Sequence, residues 1–155
     1  MIVANINLPR ILRVGAGASQ QVAATLVDLN LNNPLLVTDP FMVKCGYCRR
    51  LEEQLEAGGF DYGVFADCVP DPTTDSVYAA LKVLREGRHD CVVALGGGSS
   101  MDTAKAAAVL VNRDAPMRNY KVPYLIDGGV PIIAIPTTAG TGSEATRVAV
   151  ISDTQ

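Results

Sequence analysis

The sequence predicts an α/β fold: a doubly wound, largely parallel sheet with helices on both faces. Two observations carry this expectation. Short apolar runs of strand length alternate with longer segments whose apolar residues recur at helical spacing, as in parallel strands joined by crossover helices. Two of those runs also lead into glycine-bearing segments, residues 95–105 and 135–144, and open α/β sheets bind ligands just beyond the carboxyl ends of their strands.

The elements follow in order. Residues 2–6 and 11–14 are apolar runs expected as strands. Gly15 and Gly17 lead into a helix with Ser19 as its expected cap and Val22, Leu26 and Leu29 on its buried face. Residues 35–38 read as a buried parallel strand closed by Asp39 and Pro40. A helix is predicted over residues 47–57 and stops at Gly58 and Gly59. Residues 62–65 form the next strand and residues 70–74 a loop. A helix over residues 75–86 turns Val77, Leu81 and Leu84 inward. Residues 91–95 and 99–111 make a further strand–helix unit, residues 112–129 a polar, proline-bearing excursion, and residues 131–135 another strand. Residues 147–151 alternate like a hairpin arm, and a turn starts at Ser152 with no partner strand after it. That pattern leads us to expect a truncated or excised domain.

Composition narrows the class. The 155 residues are 48% apolar and 19% charged, enough to bury one ordinary core and too little charge for disorder. The net charge of −3 and pI near 5.0, without any basic run, give no footprint for nucleic acid. No apolar stretch approaches the ~20 residues that span a bilayer. The first residues lack the basic region and apolar block of a signal peptide, so a soluble cytoplasmic protein is expected. Cys45 and Cys48 have the spacing of a redox pair or half a zinc site, but Cys68 and Cys91 form no second pair, and reduced thiols on a helix are the expectation. His89, the only histidine, sits in a polar segment before a strand and reads as a solvated turn residue.

The glycine segments carry the chemistry. Gly96, Gly97 and Gly98 precede a helix beginning near Ser99. Ser99 and Asp102 are spaced as a capping box. A cap alone does not require three successive glycines, each of which costs conformational entropy. Glycines let a backbone approach a phosphate, and amides at a helix start favour an anion, so phosphate binding is the stronger reading. Asp102 stays open between a cap and a polar partner near the ligand, and Lys105 reads as solvated. In the second segment Thr137, Thr138, Thr141 and Ser143 supply hydroxyls for ribose or phosphate oxygens. Asp39, at a strand end, is either an Asp-Pro turn or an acceptor for ribose hydroxyls that repels a 2′-phosphate. Gly15 and Gly17 open a G-x-G-x-x-G pattern that Gln20 breaks, and no G-K-[ST] occurs, so both common nucleotide fingerprints are rejected.

Together the two segments resemble the iron-containing (group III) alcohol dehydrogenases of the dehydroquinate synthase-like superfamily. The strand end at Val37, Thr38 and Asp39 and the Pro70–Thr73 loop fit as well. The similarity runs from about Arg10 to Asp153 and covers what looks like the amino-terminal half of a member. It implies a Rossmann-like nucleotide-binding domain over residues 1–155, and NAD(P)-dependent interconversion of alcohols with aldehydes or ketones. It places Gly96, Gly97, Gly98 and Ser99 at the diphosphate, Thr137, Thr138 and Thr141 along the cofactor groove, and Asp102 near the nicotinamide end. Asp39 would contact the adenosine ribose and favour NAD over NADP. Asp71, carried over as a cofactor-binding position, stands where many members have asparagine. The family's divalent metal, iron or sometimes zinc, is held by an aspartate and three histidines of a helical domain absent from this chain, so this segment alone would be inactive. Members commonly self-associate, and a homo-oligomer is expected. A maleylacetate reductase, a glycerol dehydrogenase and a non-catalytic nucleotide-binding module are the alternative readings.

Overall fold

The computed structural model describes residues 8–121 and 126–154. The strand expected over residues 2–6 lies outside them. Among the described residues, β1 (Pro34–Val37), β2 (Gly63–Phe65), β3 (Cys91–Gly96) and β4 (Ile132–Pro136) form one sheet. Its order is β2-β1-β3-β4 and every pairing is parallel. Leu36 of β1 lies beside Val64 of β2 on one side and Val93 of β3 on the other. All of β1 and β3 is buried, as their unbroken apolar runs require of central strands covered on both faces.

The helices are α1 (Val22–Asp28), α2 (Pro40–Lys44), α3 (Tyr47–Ala57), α4 (Thr74–Glu86) and α5 (Gly98–Leu110). They divide between the two faces. Val77, Leu81 and Leu84 of α4 and Met101, Ala104 and Ala107 of α5 pack on Leu35, Val37, Val92 and Ala94. Val22 and Leu26 of α1, with Leu51 and Leu55 of α3, pack on Leu36, Val93 and Leu95. Alternate residues of each strand thus feed opposite cores, the period of two expected of a pleated strand. Each fully buried leucine or valine contributes about 1.5–3 kcal/mol. The doubly wound reading holds, and no helix among the described residues is long and apolar enough to cross a membrane.

Two expected strands are absent. Residues 11–14 make no strand; Leu12 and Val14 are 72% and 85% exposed. Their apolar run suits a strand, but among the described residues no ladder partner meets it. Residues 147–151 are also irregular, because side chains of α5 take the backbone groups a ladder would use: Val150 N–H donates to Asp102 and the Val148 carbonyl accepts from Lys105. Only Ser152 pairs, in an isolated parallel bridge to Thr73. Ser19 is not a helix cap; it lies inside a 3-10 turn, Ala18–Gln21, entered from Gly17 in the left-handed region. Leu29 is half-buried rather than core.

The segment closed by Asp39 and Pro40 starts the short helix α2. Asp39 Oδ1 accepts from the amides of Phe41 and Met42, both at 3.0 Å, and Pro40 fills the first helical position. His89 is not solvated. Its ring is buried, Nδ1 lies 2.8 Å from Asn33 Oδ1, and a Cβ on Gly63 or Gly87 would sit 2.5 or 2.2 Å from Nε2. Those two glycines make room for it. Burial pushes its pKa below the usual 6.5, against the opposing pull of Asn33 and Asp90. All four cysteines are free thiols; Cys45 is exposed, while burial and a hydrogen bond to Glu52 push Cys48 up to about 12.

Candidate functional site

The sheet order creates the site. From β1 the chain crosses to β2 on one side, and from β3 it crosses to β4 on the other. The β1 and β3 ends therefore diverge, leaving the crevice at which open α/β sheets take ligands. Asp39 follows β1, Gly97 and Gly98 follow β3, and Thr137 and Thr138 follow β4. Asp39, Gly97, Thr137 and Thr138, with Phe41 and Tyr47, line an open cleft of about 610 Å³.

Helix α5 begins at this cleft. Its N-cap is Gly97, and no side chain caps it. Ser99 is within the first turn, so the capping box with Asp102 does not form. The first-turn amides, Gly98, Ser99 and Ser100, have no carbonyl of their own helix to bond, and thirteen residues of aligned peptide dipoles place partial positive charge there. The glycines fit tightly around this point. Gly96 has φ +145°, and a Cβ on it would lie 2.5 Å from Ser100 Oγ and 3.0 Å from Asp39 Oδ2. A Cβ on Gly97 would lie 3.1 Å from Thr138 Oγ1, so a side chain there projects into the space between the two glycine segments. Thr141 stands over Gly98, 3.7 Å from where a Cβ would be. An anion with bridging oxygens suits this cradle.

Asp39 serves two elements and the cleft. One carboxylate oxygen caps α2, the other accepts from Ser100 Oγ at 3.2 Å, and the side chain still forms part of the cleft wall. Phe41 and Tyr47, 64% and 47% exposed, add an aromatic side to the cleft that sequence reading missed. Arg50 lies over the Tyr47 ring at 5.2 Å.

Of the expected site residues, Asp39, Gly97, Thr137 and Thr138 line the cleft, Gly96, Gly98, Ser99 and Thr141 adjoin it, and Asp71 and Asp102 lie elsewhere. Asp71 is exposed in the loop before α4, at φ +52°. Aspartate and asparagine tolerate that left-handed region best after glycine, which accounts for either residue at this position. Asp102 is buried and faces residues 143–150. Lys105, expected to be solvated, pairs with Asp102 at 2.9 Å, with only 15% of its side chain exposed. Among the described residues, no group of three or more histidines, cysteines, aspartates or glutamates is placed to hold a metal ion.

Known proteins share this arrangement. The family pattern described as iron-containing alcohol dehydrogenase matches residues 9–155. A long-chain-alcohol dehydrogenase of Geobacillus thermodenitrificans is 38% identical across 98% of this chain and 40% of its own length. Among solved structures, the NAD+ complex of sulfoacetaldehyde reductase from Bifidobacterium kashiwanohense superposes with TM-score 0.88 at 33% identity, over 99% of this chain and 41% of that one. A 1,3-propanediol oxidoreductase superposes with TM-score 0.93 at 29% identity, over 99% and 40%. The chain spans about two fifths of the length of these relatives.

Proposed function

Because the chain belongs to the iron-containing alcohol dehydrogenase family, we propose that residues 1–155 form its dinucleotide-binding domain and that NAD lies in the cleft at the diverging ends of β1 and β3. The carrying observation is the uncapped amino end of α5, set among Gly96, Gly97 and Gly98 and opening into that cleft. In this reading the amides of Gly98 and Ser99 hold the diphosphate. Thr137, Thr138 and Thr141 line the groove, and Asp39 takes the adenosine ribose and disfavours a 2′-phosphate. Asp71 is assigned to cofactor binding by resemblance alone.

The proposed reaction is oxidation of an alcohol to an aldehyde or ketone, or its reverse, with NAD supplying the hydride acceptor. The part played by these residues is to bind and orient the dinucleotide. They build no centre for the family's divalent metal, and no step through it is assigned to them. The alcohol itself is not selected here. Relatives named for a long-chain alcohol, sulfoacetaldehyde and 1,3-propanediol each match 98–99% of this segment, so its architecture serves different substrates.

Titration of NADH fluorescence with the purified whole protein tests the reading. Gly97→Val places a side chain between the glycine segments while Gly97, at φ −83°, can accept one without backbone strain. Binding should be abolished with the thermal unfolding transition retained. An unchanged titration would overturn the assignment.

A further inference from the structure

We infer that the Asp102–Lys105 ion pair is a positioning device that sets the width of the cleft by pinning the far end of the loop over residues 137–142. The inference rests on reading the cleft as an NAD site. The pair is saturated. Asp102 Oδ1 accepts from Ser143 Oγ at 2.5 Å and forms an ion pair with Lys105 Nζ at 2.9 Å, and Oδ2 accepts from the Val150 amide at 3.0 Å. The Lys105 ammonium donates to the carbonyls of Ser143 at 3.0 Å and Val148 at 2.6 Å. Thr146 Oγ1, at 3.4 Å, is a third hydrogen-bond acceptor, so the three protons have partners beside the ion pair. Side-chain exposure is 13% for Asp102 and 15% for Lys105.

These contacts tie positions 143, 148 and 150 to the helix whose first turn holds the anion site. The near end of the loop is fixed to the same strand–helix unit, since Thr137 N–H donates to Gly96 O at 2.9 Å. Between the anchors, residues 137–141 are exposed, and Gly140 and Gly142 adopt left-handed φ of 92° and 65° with nothing within 4 Å of a Cβ. Such a span has little packing of its own, so its place over Gly97 and Gly98 is set by its ends. A buried ion pair is a poor source of stability compared with apolar side chains of similar size. Fixing one geometry is a role that suits it better. Asp102 is therefore a positioning residue that acts through Ser143, rather than a contact to the cofactor.

Lys105→Met leaves the Asp102 carboxylate unpaired and releases two carbonyls. Ser143→Ala is the milder variant, removing the 2.5 Å bond without unpairing a charge. In the whole protein, either should weaken NADH binding measured by fluorescence, Lys105→Met by about tenfold, the loss expected when a hydrogen-bonding hydroxyl is displaced. In turnover KM for NAD should rise while kcat at saturation holds, the signature of lost ground-state binding. Amide exchange at Val150 should quicken. A merely structural role predicts a smaller active fraction with unchanged KM and NADH Kd, and that result overturns the inference, as does unchanged Val150 exchange in Lys105→Met. Failure of the wild-type protein to bind NADH instead brings down the reading of the cleft, which separates the two failures.

Discussion

Asp39 directs its two carboxylate oxygens to different elements, one to the amides that open α2 and one to Ser100 of α5. A substitution to glycine therefore removes a cap, worth about 1 kcal/mol when lost to alanine and a few tenths when lost to glycine, as well as a charge. Asn keeps an oxygen for the cap. Asp39→Asn should raise NADPH affinity relative to NADH with the unfolding midpoint nearly unchanged; an unaltered preference in parallel titrations would refute the role in cofactor choice. His89 gives a pH signature. Its folded pKa is depressed by burial, so the unfolded chain binds the proton more readily. Its stabilising contribution is full above the ordinary 6.5 and is lost as pH falls through the lower folded value. Denaturant unfolding from neutral pH to the upper edge of carboxylate titration should show this decline, and His89→Gln should flatten it. The cysteines separate by exposure: at about pH 8, iodoacetamide should modify Cys45 and spare Cys48, whose thiolate is disfavoured.

At the scale of elements, much was legible, and the two strands that failed share a cause. The helix over residues 47–57 and its glycine stop came out residue for residue, because an amphipathic segment with a clear terminator states its own limits. β1 and β3 were found within one or two residues. Residues 11–14 and 147–151 carried an equally good local strand pattern, yet a strand exists only where a neighbour completes its ladder, and that information is not local. For residues 147–151 the competing partners were Asp102 and Lys105, 43 to 48 positions away in the chain. Helix α2 was missed because an Asp-Pro pair signals a turn and a helix start alike. The glycine triplet was read as one phosphate loop, whereas its members differ. Gly96 alone has left-handed φ and a crowded Cβ position, so Gly96→Ala should destabilise the fold by about 1–3 kcal/mol in chemical denaturation. Gly97→Ala should leave stability nearly unchanged; equal losses at both would contradict this division.

At the scale of the molecule, the sheet order turns scattered motifs into one place. Asp39, Gly97 and Thr138 lie as much as 99 positions apart in the chain, and the divergence of crossovers at β1 and β3 brings all three to one cleft. The alternation of elements made the sheet legible, and the glycine segments lie at the carboxyl ends of β3 and β4. The inward turn of Asp102 and the aromatic wall of Phe41 and Tyr47 emerged only once the sheet was assembled. The scaffold depends on two cores sharing β1 and β3. Leu36→Ala, which empties a fully buried site facing α1 and α3, should cost about 2–5 kcal/mol by thermal or urea unfolding; a smaller loss would mean that face repacks. The most direct test of the central claim is the structure of the whole protein with NAD+ bound. The diphosphate oxygens should accept hydrogen bonds from the amides of Gly98 and Ser99, with Thr138 and Thr141 across the groove. A dinucleotide bound with its diphosphate away from the start of α5 would contradict the account.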